Sequence, residues 1–152
     1  IRNVANLVPV NEVDGKPHGT SAAIEFAIKH LDVKHIIVFG HSQCGGIRSL
    51  MEGDHLDHEY GFIDPWMEIA ESAKEAVVND YADEDFDAQC IMCEKASIQV
   101  SLKNLKTFPW VKERYDAGNL FIHGWYFDIE SGNLFGNKGD QFVPVKDLAF
   151  IS

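Results

Sequence analysis

The stretch His35-Ile36-Ile37-Val38-Phe39-Gly40-His41-Ser42-Gln43-Cys44-Gly45-Gly46 changes character halfway along. Its first half is apolar and β-branched, the pattern of a short buried strand. Its second half is a glycine-rich turn, which places His41 and Cys44 just past the strand's carboxyl end. A His-x-x-Cys spacing lets one turn of backbone aim a nitrogen and a sulfur at the same ion, and that donor pair suits zinc. A catalytic zinc takes three protein ligands and a water. A third ligand therefore lies elsewhere in this chain or outside it.

Upstream, Ile1 to Val8 reads as a strand or extended segment ending at Pro9, and Asn11 to Gly19 as a loop. A helix follows, with Thr20 or Ser21 as cap and Ala23, Ile24, Ala27, Ile28 and Leu31 on one face. Asp32 to Lys34 connects it to the strand at Ile36 to Phe39. Extended segment, helix and strand together predict a βαβ unit with a parallel sheet. In open parallel sheets ligands gather at the carboxyl ends of strands, where the His41/Cys44 turn falls.

Downstream, a helix is expected from Gly46 to Met51 and a polar, acidic loop from Gly53 to Gly61. Pro65 fits the first turn of another helix capped by Asp64, with Trp66, Ile69, Ala70, Ala73 and Val77 as its apolar stripe. After an acidic stretch, a long helix runs from about Asp87 to Leu105, burying Ile91, Ala96, Ile98, Leu102 and Leu105. Pro109 stops it, and Trp110 to Ala117 forms a short helix closed by Gly118. The aromatic run Leu120 to Ile129 reads as a strand. Ser131-Gly132 turns it toward a partner near Leu134-Phe135. The result is a single α/β domain over 1–152, a parallel-sheet core flanked by helices. The apolar entry at Ile1, without cap or polar lead, reads as the middle of a domain whose N-terminal part is missing.

With 152 residues, 45% of them apolar, the chain can bury a real core. Its 24 acidic and 13 basic side chains give a formal charge of −11. Such a surface repels a phosphate backbone or an anionic membrane, so neither nucleic acid nor membrane is an expected partner. Three cysteines make no disulfide framework. They fit the cytoplasm or another reducing compartment, and organelle targeting by a missing N-terminus stays open.

Other candidates are weaker. Cys90 and Cys93 form a Cys-x-x-Cys inside a helical stretch and read as packed thiols. A closed structural zinc on His41, Cys44, Cys90 and Cys93 is the competing arrangement. His55 and His58, amid Asp54, Asp57 and Glu59, read as a solvated loop. His123 reads as a partly buried, hydrogen-bonded histidine. Glu25 and Glu94 read as surface carboxylates, and Thr20-Ser21 as a helix cap rather than an anion site.

The motifs together resemble the β-class carbonic anhydrases. The matching segments are Arg2-Asn3-Val4-Ala5-Asn6-Leu7-Val8-Pro9, Thr20 to Ala27, and Gly40-His41-Ser42-Gln43-Cys44-Gly45-Gly46-Ile47. Cys93-Glu94-Lys95, Ser101 to Leu105, Pro109 and His123-Gly124-Trp125-Tyr126-Phe127-Asp128 continue in the family's order. The resemblance implies a homodimer or higher homo-oligomer with its active site near a subunit interface. It implies a zinc held by Cys, His and Cys, with His41 and Cys44 as the second and third ligands. The implied reaction is reversible hydration of carbon dioxide to bicarbonate and a proton. Val4, Ala5, Phe26 and Gly45 match positions of the substrate pocket, and Phe26 stands where plant-type members often carry Tyr.

Two departures follow from the same resemblance. The family's first zinc Cys belongs to a Cys-x-Asp-Ser-Arg motif whose Asp and Arg form the orienting dyad. No such motif occurs in this sequence, so both are expected upstream of Ile1. If the chain truly starts at Ile1, the alternative is an inactive or structural protein of the same fold. A related zinc hydrolase of another small molecule, such as carbon disulfide, is the other alternative. Arg2 matches a regulatory anion contact of a bacterial subgroup, but Phe127 replaces that subgroup's Tyr, so such regulation is expected to be weak or absent.

Overall fold

A computed structural model describes residues 1–53 and 61–148. In chain order the elements are α1 (Gly19–Lys29), β1 (His35–His41), α2 (Gly45–Glu52), α3 (Ile63–Met67), α4 (Glu71–Asp80), α5 (Phe86–Leu105), α6 (Pro109–Asp116), β2 (Phe121–Phe127), β3 (Leu134–Lys138) and β4 (Gln141–Pro144). The sheet order is β1-β2-β3-β4. β1 and β2 run parallel, with His35 opposite Phe121 and His41 opposite Phe127. β3 and β4 add antiparallel strands by hairpins. Among the described residues no helix is long and apolar enough to cross a membrane.

The parallel pair needs a long crossover, and the helices α2 to α6 supply it. α5 is the central one. Asp85 caps it, accepting from the Ala88 N–H at 2.8 Å. Its inner face buries Cys93, Ser97, Ile98, Ser101, Leu102 and Leu105. Ile98 lies against the sheet where β1 and β2 each carry a glycine. A Cβ added at Gly40 would stand 2.7 Å from Ile98 Cδ1, and one at Gly124 2.8 Å from Ile98 Cγ2. The two glycines are the space α5 occupies. Val38, Leu102, Leu105 and Tyr126 complete this half of the core.

Several expectations are corrected. The opening run is no strand: Val4–Asn6 is a single 3-10 turn, with Ala5 at φ 59° and Asn6 at φ 53°. The predicted βαβ unit is therefore replaced by β1–helices–β2. The run is apolar because Ala5, Leu7 and Val8 are buried, not because it alternates in a sheet. α5 holds it through side chains. Ser101 Oγ donates to the Asn6 carbonyl and accepts from the Val8 N–H, and Asn104 Nδ2 donates to the Val8 carbonyl.

α1 starts at Gly19 after His18, with no side-chain cap, so neither Thr20 nor Ser21 caps it. It ends at Lys29, which leaves Leu31 62% exposed. Ile91 is exposed on α5. Asp64 lies within α3 rather than capping it, and the helix expected there is divided into α3, a 3-10 turn at Glu68–Ala70, and α4. The loop with His55 and His58 lies outside the described residues.

Candidate metal centre

His41 is the last residue of β1 and Cys44 directly precedes α2. Of the two residues between them, Ser42 is tied to the end of β2. Ser42 is 6% exposed. Its N–H donates to the Phe127 carbonyl at 2.9 Å. Its hydroxyl donates to Asp128 Oδ1 at 3.2 Å and accepts from the Ile129 N–H at 2.8 Å. Gln43 takes the left-handed conformation, φ 58°, which closes the turn in one residue.

The two donors are held differently. His41 Nδ1 lies 2.8 Å from the Ser42 carbonyl oxygen. A carbonyl only accepts, so Nδ1 carries the proton and Nε2 presents the lone pair. A metal-binding histidine needs this arrangement, since the hydrogen bond fixes both tautomer and ring orientation. Cys44 is held through its backbone: its N–H donates to Glu94 Oε1 at 2.8 Å. Its thiol is free and the residue is buried.

Glu94 departs most from expectation. It is 3% exposed on the inner face of α5. Its second oxygen accepts from the Tyr126 hydroxyl at 2.8 Å. Burial first, and the carboxylate beside it second, push the Tyr126 phenol well above its ordinary range. Tyr126 therefore stays a donor, and both oxygens of Glu94 act as acceptors. The Lys95 ammonium stands 5.0 Å over the Tyr126 ring.

A cleft of about 520 Å³ runs beside the other edge of β1 and brings Arg2, Ala5 and His41 together. Asn6 also lines it, and its Oδ1 is a buried oxygen without a hydrogen-bond partner among the described residues. Two consecutive non-glycine residues at positive φ cost about 1–2 kcal/mol each. Here the bond from the Ser101 hydroxyl to the Asn6 carbonyl and the bond from Trp66 Nε1 to the Val4 carbonyl hold them in place. Val4, Phe26 and Gly45 are not among the residues lining this cleft. Val4 packs on α2, where a Cβ at Gly46 would come within 2.8 Å of it. Phe26 is 55% exposed and stacks on His30 at 5.0 Å. Gly45 opens α2 into free space.

Among the described residues no group of three or more His, Cys, Asp and Glu side chains is arranged to hold a metal. The four-ligand structural site on His41, Cys44, Cys90 and Cys93 is thereby corrected. Cys90 and Cys93 are packed thiols, and burial pushes Cys93 up to about 12. The sequence reading missed Ser42, Tyr126 and Asp128 and placed Glu94 on the surface. The signal for Glu94 was its place one helical turn before Ser97-Ile98, on the face that α5 buries.

Asp128 gives a pH test of the turn. The Ser131 hydroxyl first, then the N–H of Glu130 and the Ser42 hydroxyl, hold its carboxyl below the ordinary aspartate range. Between its folded and unfolded pKa the unfolded chain binds more protons. Its contribution is therefore complete above about pH 4 and is lost as pH falls through the folded value. Asp128→Asn is expected to flatten this acid limb, read as urea midpoints between about pH 5 and about pH 2.

Fold and site define a mixed-sheet α/β protein with one histidine and one cysteine donor at the carboxyl end of a parallel strand pair. The family model described as carbonic anhydrase matches residues 1–134. Beta carbonic anhydrase 5, chloroplastic, of Arabidopsis thaliana is 42% identical over 129 residues, which are 85% of this chain and 42% of that protein. Beta carbonic anhydrase 3 of the same plant is 40% identical over 136 residues, 88% of this chain and 52% of that one. The chain belongs to the β-class carbonic anhydrase family. It spans about half the length of these curated relatives. Among solved structures, the beta-carbonic anhydrase CcaA superposes with a TM-score of 0.86 at 30% identity, over 95% of this chain and 65% of that one. A tetrameric beta-carbonic anhydrase of Sordaria macrospora gives 0.75 at 28% identity, over 91% and 67%.

Proposed function

We propose that this chain forms part of a zinc-dependent enzyme that reversibly hydrates carbon dioxide to bicarbonate and a proton. The observation that carries this reading is the tautomer of His41. Its Nδ1 is committed to the Ser42 carbonyl, which leaves Nε2 to a metal, three residues from a buried thiol. An imidazole nitrogen and a thiolate fit two corners of a zinc tetrahedron. When bound, zinc lowers the pKa of water from about 15.7 to about 7, the value established for a three-histidine carbonic anhydrase.

His41 and Cys44 hold the ion in this reading. Ser42 and Glu94 fix the turn that presents them. Ala5, which lines the cleft with His41, belongs to the apolar wall against which an uncharged substrate rests; Val4, Phe26 and Gly45 lie off that cleft in this chain and join the wall only across a subunit contact, and Arg2 in the same cleft is the weak contact for a regulatory anion. The third ligand and the Asp–Arg dyad have no counterpart in this sequence and are supplied by polypeptide outside it. Homo-oligomeric assembly is part of the proposal, supported by the tetrameric Sordaria relative. The three free thiols fit a reducing compartment, cytoplasm or organelle.

The test is zinc content together with carbon dioxide hydration, measured on the natural full-length protein and its His41→Ala and Cys44→Ser variants. Each variant is expected to lose zinc by a factor of at least about 10 and to lose catalysis with it. Stoichiometric zinc and full activity in Cys44→Ser would overturn the assignment. Activity on carbon disulfide without hydration of carbon dioxide would transfer the same site to another substrate.

A further inference from the structure

The face of the sheet opposite α5 carries a second pair of metal-ligating side chains. His35, Ile37 and Phe39 alternate along β1, and Phe121, His123 and Trp125 alternate beside them on β2. His35 pairs with Phe121 and Ile37 with His123, so the two histidines are diagonal neighbours on one face. His35 Nδ1 lies 3.1 Å from His123 Nε2. Their ring centroids are 5.3 Å apart with planes 23° from parallel. On its other side His35 stacks on Phe121 at 5.2 Å and 23°.

We propose that His35 and His123 form a chelating site for a divalent late transition metal of the Cu(II) or Ni(II) class. The site lies at the end of β1 opposite His41, six residues or roughly 20 Å away, and does not depend on the catalytic reading.

The spacing supports this directly. Two imidazole nitrogens bound at 2.0–2.1 Å and subtending 90–110° at a metal stand about 2.9–3.4 Å apart. The facing nitrogens already lie within that range. The separation is thus already that of a chelated pair, and the lone pairs, which face each other in the hydrogen bond, must turn toward the ion. In the metal-free pair one ring donates its hydrogen to the other. On binding, the donor ring moves that hydrogen to its far nitrogen, so both facing nitrogens present lone pairs and no proton leaves the protein. Competition from protons is weak on one side, since burial, aided by the neighbouring His35, holds His123 below the usual histidine range. The Phe121 stack keeps the His35 ring plane from turning away.

Among the described residues no third ligand joins the pair, so the remaining positions fall to water. Imidazole ligands without thiolate or carboxylate, in a two-nitrogen set, favour the late end of the divalent series.

The test is calorimetric titration of the zinc-loaded, full-length protein with Ni(II) alone, compared with His35→Gln, His123→Gln and the double variant. Wild type is expected to take up an ion that each single variant binds at least about tenfold more weakly, because chelation makes the second bond intramolecular. The double variant is expected to be no weaker than the poorer single one. His35 is exposed, so its variant keeps the fold, and the thermal midpoint checks the His123 variant. Wild-type affinity in either single variant, or no Ni(II) uptake by wild type, would overturn the site.

Discussion

Replacing Glu94 by alanine is expected to destabilise the fold by about 4 kcal/mol and to loosen the metal centre at the same time. The carboxylate is the acceptor for two buried donors, the Cys44 N–H and the Tyr126 hydroxyl. Leaving a buried donor unpaired costs about 1–3 kcal/mol, more where the lost partner was charged. Glu94→Gln separates packing from hydrogen bonding. Its amide has nearly the same volume, accepts from one donor and sets its NH2 against the other, so a loss of about 2 kcal/mol is expected. Urea unfolding measures both. With His41 and Cys44 holding zinc as proposed, zinc retention is the second readout, since Glu94 bonds the Cys44 backbone N–H. A loss of at least about tenfold in zinc affinity is expected for Glu94→Gln. Unchanged stability and unchanged zinc binding in Glu94→Ala would show that the buried carboxylate organises nothing.

The second large effect is expected at Gly124. A Cβ there would stand 2.8 Å from Ile98 Cγ2, 2.9 Å from Leu102 Cδ1 and 3.2 Å from Asn137 Oδ1. Cγ2 hangs on the branched β-carbon of a helical residue and cannot swing aside. Gly124→Ala is therefore expected to cost about 2–3 kcal/mol, as overpacking in a close-packed interior does. Gly40 offers a graded comparison. Its nearest obstacle is Ile98 Cδ1 at 2.7 Å, the movable end of the side chain, so Gly40→Ala is expected to cost less. Ile98→Ala alone removes a fully buried side chain at about 2–5 kcal/mol. Combined with Gly124→Ala it should cost less than the sum, with a coupling of about 1 kcal/mol or more. Strict additivity in that double-mutant cycle would mean that Ile98 is not what Gly124 makes room for.

These residues mark where the sequence was legible. The existence of β1 and the place of its turn were readable because an apolar run gives way to glycines within a few residues, and the structure puts His41 and Cys44 at that junction; the burial expected of the strand is corrected, since Val38 is buried but Ile37 and Phe39 on the other face are exposed. Pro109 stands at the first position of α6, and Gly132 at φ 70° makes the turn between β2 and β3, as their chemistry requires. The opening segment was misread for a physical reason. Burial of Ala5, Leu7 and Val8 looks like strand patterning, and no local signal predicts alanine at positive φ. Long-range bonds from α5 and Trp66 fix that conformation. Glu94 was misread because a carboxylate on a helix is exposed by default, and only its two partners, 50 and 32 residues away in sequence, make burial tolerable. Leu31 was placed one turn too far because α1 stops at Lys29.

The position of β1 in the strand order carries a consequence for handling the protein. Among the described residues it is paired on one side only, and its exposed face bears Ile37 at 43% and Phe39 at 49%. An uncovered parallel edge with apolar side chains is a template on which other chains can stack. The formal charge of −11 is the force that keeps them apart, and it acts only within a Debye length, about 10 Å in 0.1 M salt. Wherever this edge is left bare, added salt is expected to favour association by screening that charge.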